Sequence, residues 1–199
     1  MKFSGSERYV KCAKLKAYRH RRALTLIGMM TVLAVLLLTA KRENSIRYTG
    51  SDMEHASSRR VWEYVSDFSN MVHLNPTIKK FTITHESSND KQWNYTVEYE
   101  EHLSQLPFVT NKIVGNFVVE ESRSRRTIKS THWTCFSRIY CLNTKSEMQF
   151  LDLSKGSRVV EIIKYECPWL LTKFCTNEVM YQRKEIFGRL WTVFAHTKH

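Results

Sequence analysis

The sequence predicts an α+β protein. A curved antiparallel sheet wraps one long C-terminal helix, two short helices close one end, and a single membrane-spanning helix stands in front. Three observations predict this. An uncharged run, Ala23–Ala40, lies near the N-terminus. Beyond it, polar and apolar residues alternate over about six segments, the mark of half-buried strands. The stretch from about Lys173 to His196 then carries an apolar stripe at helical spacing. The length of 199 residues suits one domain with an appendage.

The first 22 residues hold eight Lys/Arg and one acid, Glu7. The run that follows has only Thr25, Thr31 and Thr39 as polar residues. At about 1.5 Å per residue it spans roughly 27 Å, close to a hydrocarbon core of about 30 Å. A helix buried in a protein core would show a polar stripe, and this run has none. It also exceeds a signal-peptide apolar region of roughly 7–15 residues. Its end, Leu38-Thr39-Ala40, has leucine where cleavage wants a small residue. The expectation is an uncleaved anchor over residues 23–40 behind a basic leader, residues 1–22.

The flanks set the expected orientation. Residues 41–60 hold five bases, partly offset by Glu43, Asp52 and Glu54. The stronger positive flank stays inside, so the leader is cytosolic and residues 41–199 are lumenal or extracellular. The mitochondrial inner membrane is the alternative location for such a leader and anchor.

Net charge is +12, but residues 1–42 account for +9 of it and residues 43–199 for +3. A nucleic-acid binder carries its positive charge on the folded domain. Here the excess sits beside the apolar run, so the expected partner is a membrane surface and not nucleic acid. The sequence identifies no protein partner.

The domain elements follow in order. Ser45–Thr49 reads as a short strand, and Gly50-Ser51-Asp52 as a turn. Ser57 or Ser58 caps a helix whose Val61, Trp62, Val65 and Phe68 share a face. Ser66-Asp67 ends it and caps a second short helix, which Asn75-Pro76 stops. Phe81–Thr84 alternates, and Ser87-Ser88-Asn89-Asp90 reads as a turn. In the clearest strand, Trp93, Tyr95, Val97 and Tyr99 share one face, and Asn94, Thr96, Glu98 and Glu100 the other. Further strands are expected over Ile113–Val119, Thr127–Phe136, Ser146–Leu153 and Arg158–Cys167. In the final helix Val179, Ile186, Phe187, Leu190 and Phe194 form the stripe, widened by Met180 and Trp191 and interrupted by Arg183.

Cys135, Cys141, Cys167 and Cys175 lie in the domain, and Cys12 in the leader. An even set on the oxidising side fits disulfides. Alternation places all four at one end of the sheet, and three pairings stay open. Bridges across long separations would each add roughly 2–4 kcal/mol. Spacings of C-x5-C and C-x7-C are not those of a zinc site, so no metal is expected. Cys12 is an acylation candidate, or a free thiol. Asn94-Tyr95-Thr96 is a glycosylation sequon with Asn94 on the outward face.

The element order and the helix segment Ser57–Asn70, with its Val61-Trp62 pair leading to Asp67-Phe68, resemble the START-like, or SRPBCC, helix-grip superfamily. The nearest resemblance is to its polyketide cyclase/dehydrase and coenzyme Q-binding branch. It covers about residues 45–196. It implies a cavity between sheet and long helix that holds a lipid, sterol, quinone or other apolar small molecule. The candidate lining is Trp93, Tyr95, Val97, Tyr99, Ile113 and Phe117 from strands, and Ile186, Phe187, Leu190 and Phe194 from the helix. The bland alternative is that these side chains simply fill a core.

No catalytic motif is present: neither His-Glu-x-x-His, Gly-x-Ser-x-Gly, a phosphate loop nor Cys-x-x-Cys occurs. His73, His102 and His132 are scattered, Asp67 reads as a helix cap, and Glu98, Glu100 and Glu101 read as solvated charges. Arg183 is expected to snorkel to water, the other option being a ligand head group. No cofactor is expected. The expected function is membrane-tethered binding or transfer of an apolar ligand. The alternatives are a cyclase- or hydrolase-type enzyme, and an accessory module of a membrane complex.

Overall fold

The computed structural model describes residues 5–89, 92–122, 125–136 and 140–195, with side chains from Lys14 onward. Cys12 therefore lies outside the described side chains. The chain forms two compact units. One holds Met1–Lys41 with Pro168–Leu170, and the other Arg42–Cys167 with Leu171–His199.

In the first unit, α1 (Gly5–Thr39) is a single continuous helix. Its Lys14–Thr39 portion has a mean hydropathy of 2.0 in its most apolar window, none of that window is buried, and it is long enough to cross a membrane. The hydroxyls of Thr25, Thr31 and Thr39 donate to the carbonyls of Arg22, Gly28 and Val35, each at 2.8 Å. That turns them back onto the helix's own carbonyls. The Ala40 carbonyl, just past the helix, accepts from the Trp169 N–H at 3.0 Å.

The second unit opens with β1 (Lys41–Thr49), α2 (Ser58–Ser66) and α3 (Phe68–Leu74). Ser57 caps α2, accepting from the Arg60 N–H, and Asp67 caps α3 by accepting from the Ser69 N–H. Then come β2 (Ile78–Asn89), β3 (Gln92–His102), β4 (Thr110–Ser122), β5 (Arg125–Phe136), β6 (Tyr140–Leu153) and β7 (Gly156–Pro168). A short 3-10 turn, Trp169–Leu171, leads into α4 (Thr172–Ala195).

The seven strands form one sheet in the order β1-β7-β6-β5-β4-β3-β2, with β2 to β7 joined antiparallel. Register breaks in β2, between Ile78 and Lys80 and between Ile83 and His85, bend that edge. The sheet's inner face and α4 share one core. Ile186, Phe187, Leu190 and Phe194 of α4 are buried there with Val61, Val65, Phe68 and Leu74 of α2 and α3. This is the expected helix-grip architecture.

Three local readings are corrected. Residues 87–89 are strand, not turn: Ser87 pairs with Asn94, Ser88 with Trp93 and Asn89 with Gln92. Polar side chains on an edge strand do not forbid pairing. Met180 and Trp191 do not widen the buried stripe of α4, because both are exposed. The disulfides, Cys135–Cys141 and Cys167–Cys175, span separations of only 6 and 8 residues. They are local staples, the first joining register partners across the β5–β6 hairpin.

Candidate functional site

Alternation fixes what β3 to β7 turn inward. From β3 and β4 come Trp93, Tyr95, Val97, Tyr99, Ile113 and Phe117. Tyr95, Val97, Ile113 and Phe117 are buried, while Trp93 and Tyr99 are half-buried. Tyr95 stacks on Phe117 with centroids 4.8 Å apart, and Trp93 leans on Tyr95 at 4.7 Å. Phe68 of α3 packs against Phe81, Tyr99 and Phe117 at 5.3–5.4 Å. Tyr95 also donates its hydroxyl to the Ser66 carbonyl at 2.8 Å, tying this aromatic wall to α2. Across from it, Ile186, Phe187, Leu190 and Phe194 complete an apolar surround. The sequence-predicted lining residues thus share one core between sheet and helix, except Ile113, which is buried further along the same face of β4.

The inner face of β5 to β7 is different. It carries Ser130, His132, Ser146 and Glu161. Tyr99 Oη lies 3.1 Å from His132 Nδ1, His132 Nε2 lies 2.8 Å from Ser130 Oγ, and Ser130 Oγ lies 3.3 Å from Ser146 Oγ. Gly115, the register partner of His132, leaves room for the imidazole: a Cβ there would sit 2.8 Å from Nδ1. Burial, reinforced by the nearby Arg183 charge, drops the His132 pKa to about 3. The ring is neutral at physiological pH, with one donor and one acceptor nitrogen. Burial and the Glu101 charge push the Tyr99 phenol well up, against the pull of Arg183, so it keeps its proton.

Arg183 supplies the charge on the helix side. Its Nε lies 2.9 Å from Glu161 Oε2, with the arginine side chain 13% exposed and Glu161 wholly enclosed. Snorkelling to water is thereby corrected, because α4 lies on the sheet and points Arg183 at a partner. Distance alone makes this an ion pair. Both Glu161 oxygens and Arg183 Nε lack a hydrogen bond of proper direction. We therefore take the contact as charge attraction that leaves the carboxylate with spare accepting capacity, an uncommon state for a buried group.

Glu101 is a second correction. It is 8% exposed, not a solvated charge. It continues the inward series of Trp93, Tyr95, Val97 and Tyr99. Thr77 Oγ1 and Gln182 Nε2 each reach it at 3.4 Å. Burial raises its pKa to about 7, with the Glu178 charge adding to the rise and Gln182, Arg183 and Thr77 opposing it. Glu178 in turn accepts from the Ser104 N–H at 2.8 Å and the Ser104 hydroxyl at 2.6 Å, fastening the β3–β4 loop to α4.

A histidine with a pKa of about 3 is a weak base, and a phenol held above its usual range is a weak acid. Glu101 has a pKa of about 7, and both its oxygens are engaged. Among the described residues no cluster of three His, Cys, Asp or Glu is placed to hold a metal ion. Asn94 sits half-buried on the outer face, its Oδ1 accepting from Gln92 at 2.7 Å.

No protein-family profile and no curated protein matches the sequence. Solved structures do match. TTHA0849 from Thermus thermophilus is 12% identical over 79% of this chain and 100% of its own, with a TM-score of 0.58. The Zhui aromatase/cyclase from Streptomyces sp. R1128 is 12% identical over 77% and 93%, with a TM-score of 0.55. Ara h 8.0201 is 11% identical over 76% and 99%, with a TM-score of 0.51. At such identities the likeness is one of fold, and it agrees with the helix-grip architecture described above.

Proposed function

We propose that this protein binds an apolar small molecule carrying one hydrogen-bonding end, inside the grip, while α1 tethers it to a membrane. The observation that carries the reading is the enclosed Glu161 carboxylate with no directed hydrogen bond, on the sheet face that also bears the aromatic wall. A ligand hydroxyl would donate to Glu161, with the Tyr99–His132–Ser130 chain beside it, and the ligand body would lie against Tyr95, Phe117 and Phe187. Sterols and hydroxyl-bearing lipids fit that description, and a quinone fits it in its reduced quinol form, whose O–H groups donate where the oxidised carbonyls only accept. Apolar burial at about 25 cal/mol per Å² would drive uptake, and the polar end would set orientation.

The rest of the reading concerns place. The basic leader favours a cytosolic N-terminus, and two disulfides favour an oxidising compartment for the domain. The domain proper spans residues 41–199, and Asn94 carries a glycan. A tethered grip would load from, or deliver to, the membrane beside it.

Native mass spectrometry of the full chain released from detergent, followed by extraction and identification of retained molecules, tests the binding. A stoichiometric apolar compound that is lost in Val97→Trp, which fills the interior, is the expected result. Empty wild-type protein from several membranes, with unchanged stability on adding lipid extracts, would refute it. Endoglycosidase sensitivity and protease protection of the N-terminus test the topology separately.

A further inference from the structure

Within the first unit, Pro168–Leu170 accompany α1. The Trp169 N–H donates to the carbonyl of Ala40, the residue at which the chain leaves the helix. The Trp169 backbone therefore sits at the level where an α1 span ends. Trp169 and Leu170 are 49% and 51% exposed, and Leu171 follows at 43%. Three consecutive large apolar side chains facing outward mark a contact surface.

We infer that Trp169 and Leu170 form a second membrane contact, seated in the interfacial layer of the bilayer that α1 crosses. The inference rests on the reading of α1 as an anchor. Three observations select lipid as the occupant. The segment is bonded to the end of the apolar helix. An indole, apolar in body with one N–H, suits the boundary between acyl chains and headgroups. Lys41 and Arg42 follow Ala40 directly in sequence, Lys173 comes shortly after Leu170, and their charges match anionic headgroups. The Cys167–Cys175 bridge closes the chain segment that carries Trp169 and Leu170.

The test uses the full chain in phosphatidylcholine/phosphatidylglycerol vesicles containing lipids brominated near the headgroup. Emission of Trp169 is taken as the difference between wild type and Trp169→Phe. We expect this difference emission to fall by about half or more with the shallow bromolipid, in keeping with a depth of about 5–10 Å, and to resist aqueous acrylamide. Trp169→Phe/Leu170→Trp should restore the signal, which guards against a folding defect in the single variant. If the vesicles float with the protein but acrylamide quenches the difference emission and bromolipid does not, the contact is absent and the anchor stands. If shielding disappears as protein is diluted in lipid, a second copy covers the patch and the inference fails. If the protein does not float with the vesicles, the anchor reading itself fails.

Discussion

Arg183 of α4 and Glu161 of β7 hold opposite charges 2.9 Å apart in an enclosed interior. Each is tolerable there because of the other. Arg183→Met leaves an enclosed carboxylate unpaired, and we expect a loss of about 3–5 kcal/mol. Arg183→Met combined with Glu161→Gln removes both charges and should recover most of that loss. Denaturant titration of the full chain in micelles, followed by near-UV circular dichroism, measures both. Equal losses in the single and double variants would show that the two do not act as a pair.

Glu101 and His132 give opposite pH responses. Glu101 is raised from 4.5 to about 7 by burial, so the folded state holds its proton more tightly. That contribution favours folding as pH falls from 7 towards 4.5. His132 is lowered from 6.5 to about 3, also by burial, so its contribution is lost as pH falls below 6.5. Each slope is about 1.4 kcal/mol per pH unit, and between 4.5 and 6.5 the two oppose. Wild-type stability should therefore be nearly flat in that window, whereas Glu101→Gln should lose stability steadily from pH 6.5 downward. A parallel pH profile for the two proteins would refute the assignment of Glu101.

Gly115 has no side chain because His132 fills the space beside it. Gly115→Ala would press on His132 Nδ1 and on Phe117, and we expect about 1–3 kcal/mol of destabilisation. Moving the ring also breaks its contact with Tyr99. Nitrogen-15 shifts of His132 should stay constant between pH 5 and 8 in the wild type and begin to titrate in the variant. An unperturbed imidazole in Gly115→Ala would argue against the close fit.

The two disulfides close short loops, so chain entropy gives each about 2.5 kcal/mol. Replacing Cys135 and Cys141 together with serine, or Cys167 and Cys175 together, should lower stability by about that amount. Peptide mapping without reductant should recover the two local pairs and no crossed ones. Crossed peptides would overturn the register placed across β5 and β6.

The layout of sheet and helix was legible because alternation and helical stripes record burial along one element at a time. The aromatic wall was legible for the same reason: Trp93, Tyr95, Val97 and Tyr99 form an unbroken period-two series. Extending that series by one step reaches Glu101, and the β7 series of Val159, Ile163 and Tyr165 encloses Glu161. Parity points both acids inward, whereas the charge of Glu101 suggests solvent. What periodicity could not supply was the partner, since Glu161 and Arg183 meet only once α4 lies on the sheet. The cysteine pairing was hidden similarly, because it depends on the β5–β6 register.

β1 is the first strand to follow the apolar helix, and it lies beside β7, the last to be made. During synthesis its backbone has no neighbour until almost the whole chain has emerged. Closure of the sheet is thus a late, long-range event, which slows folding and leaves a sticky edge in the interim. A nascent chain stalled before β7 should therefore recruit chaperones to that unpaired edge.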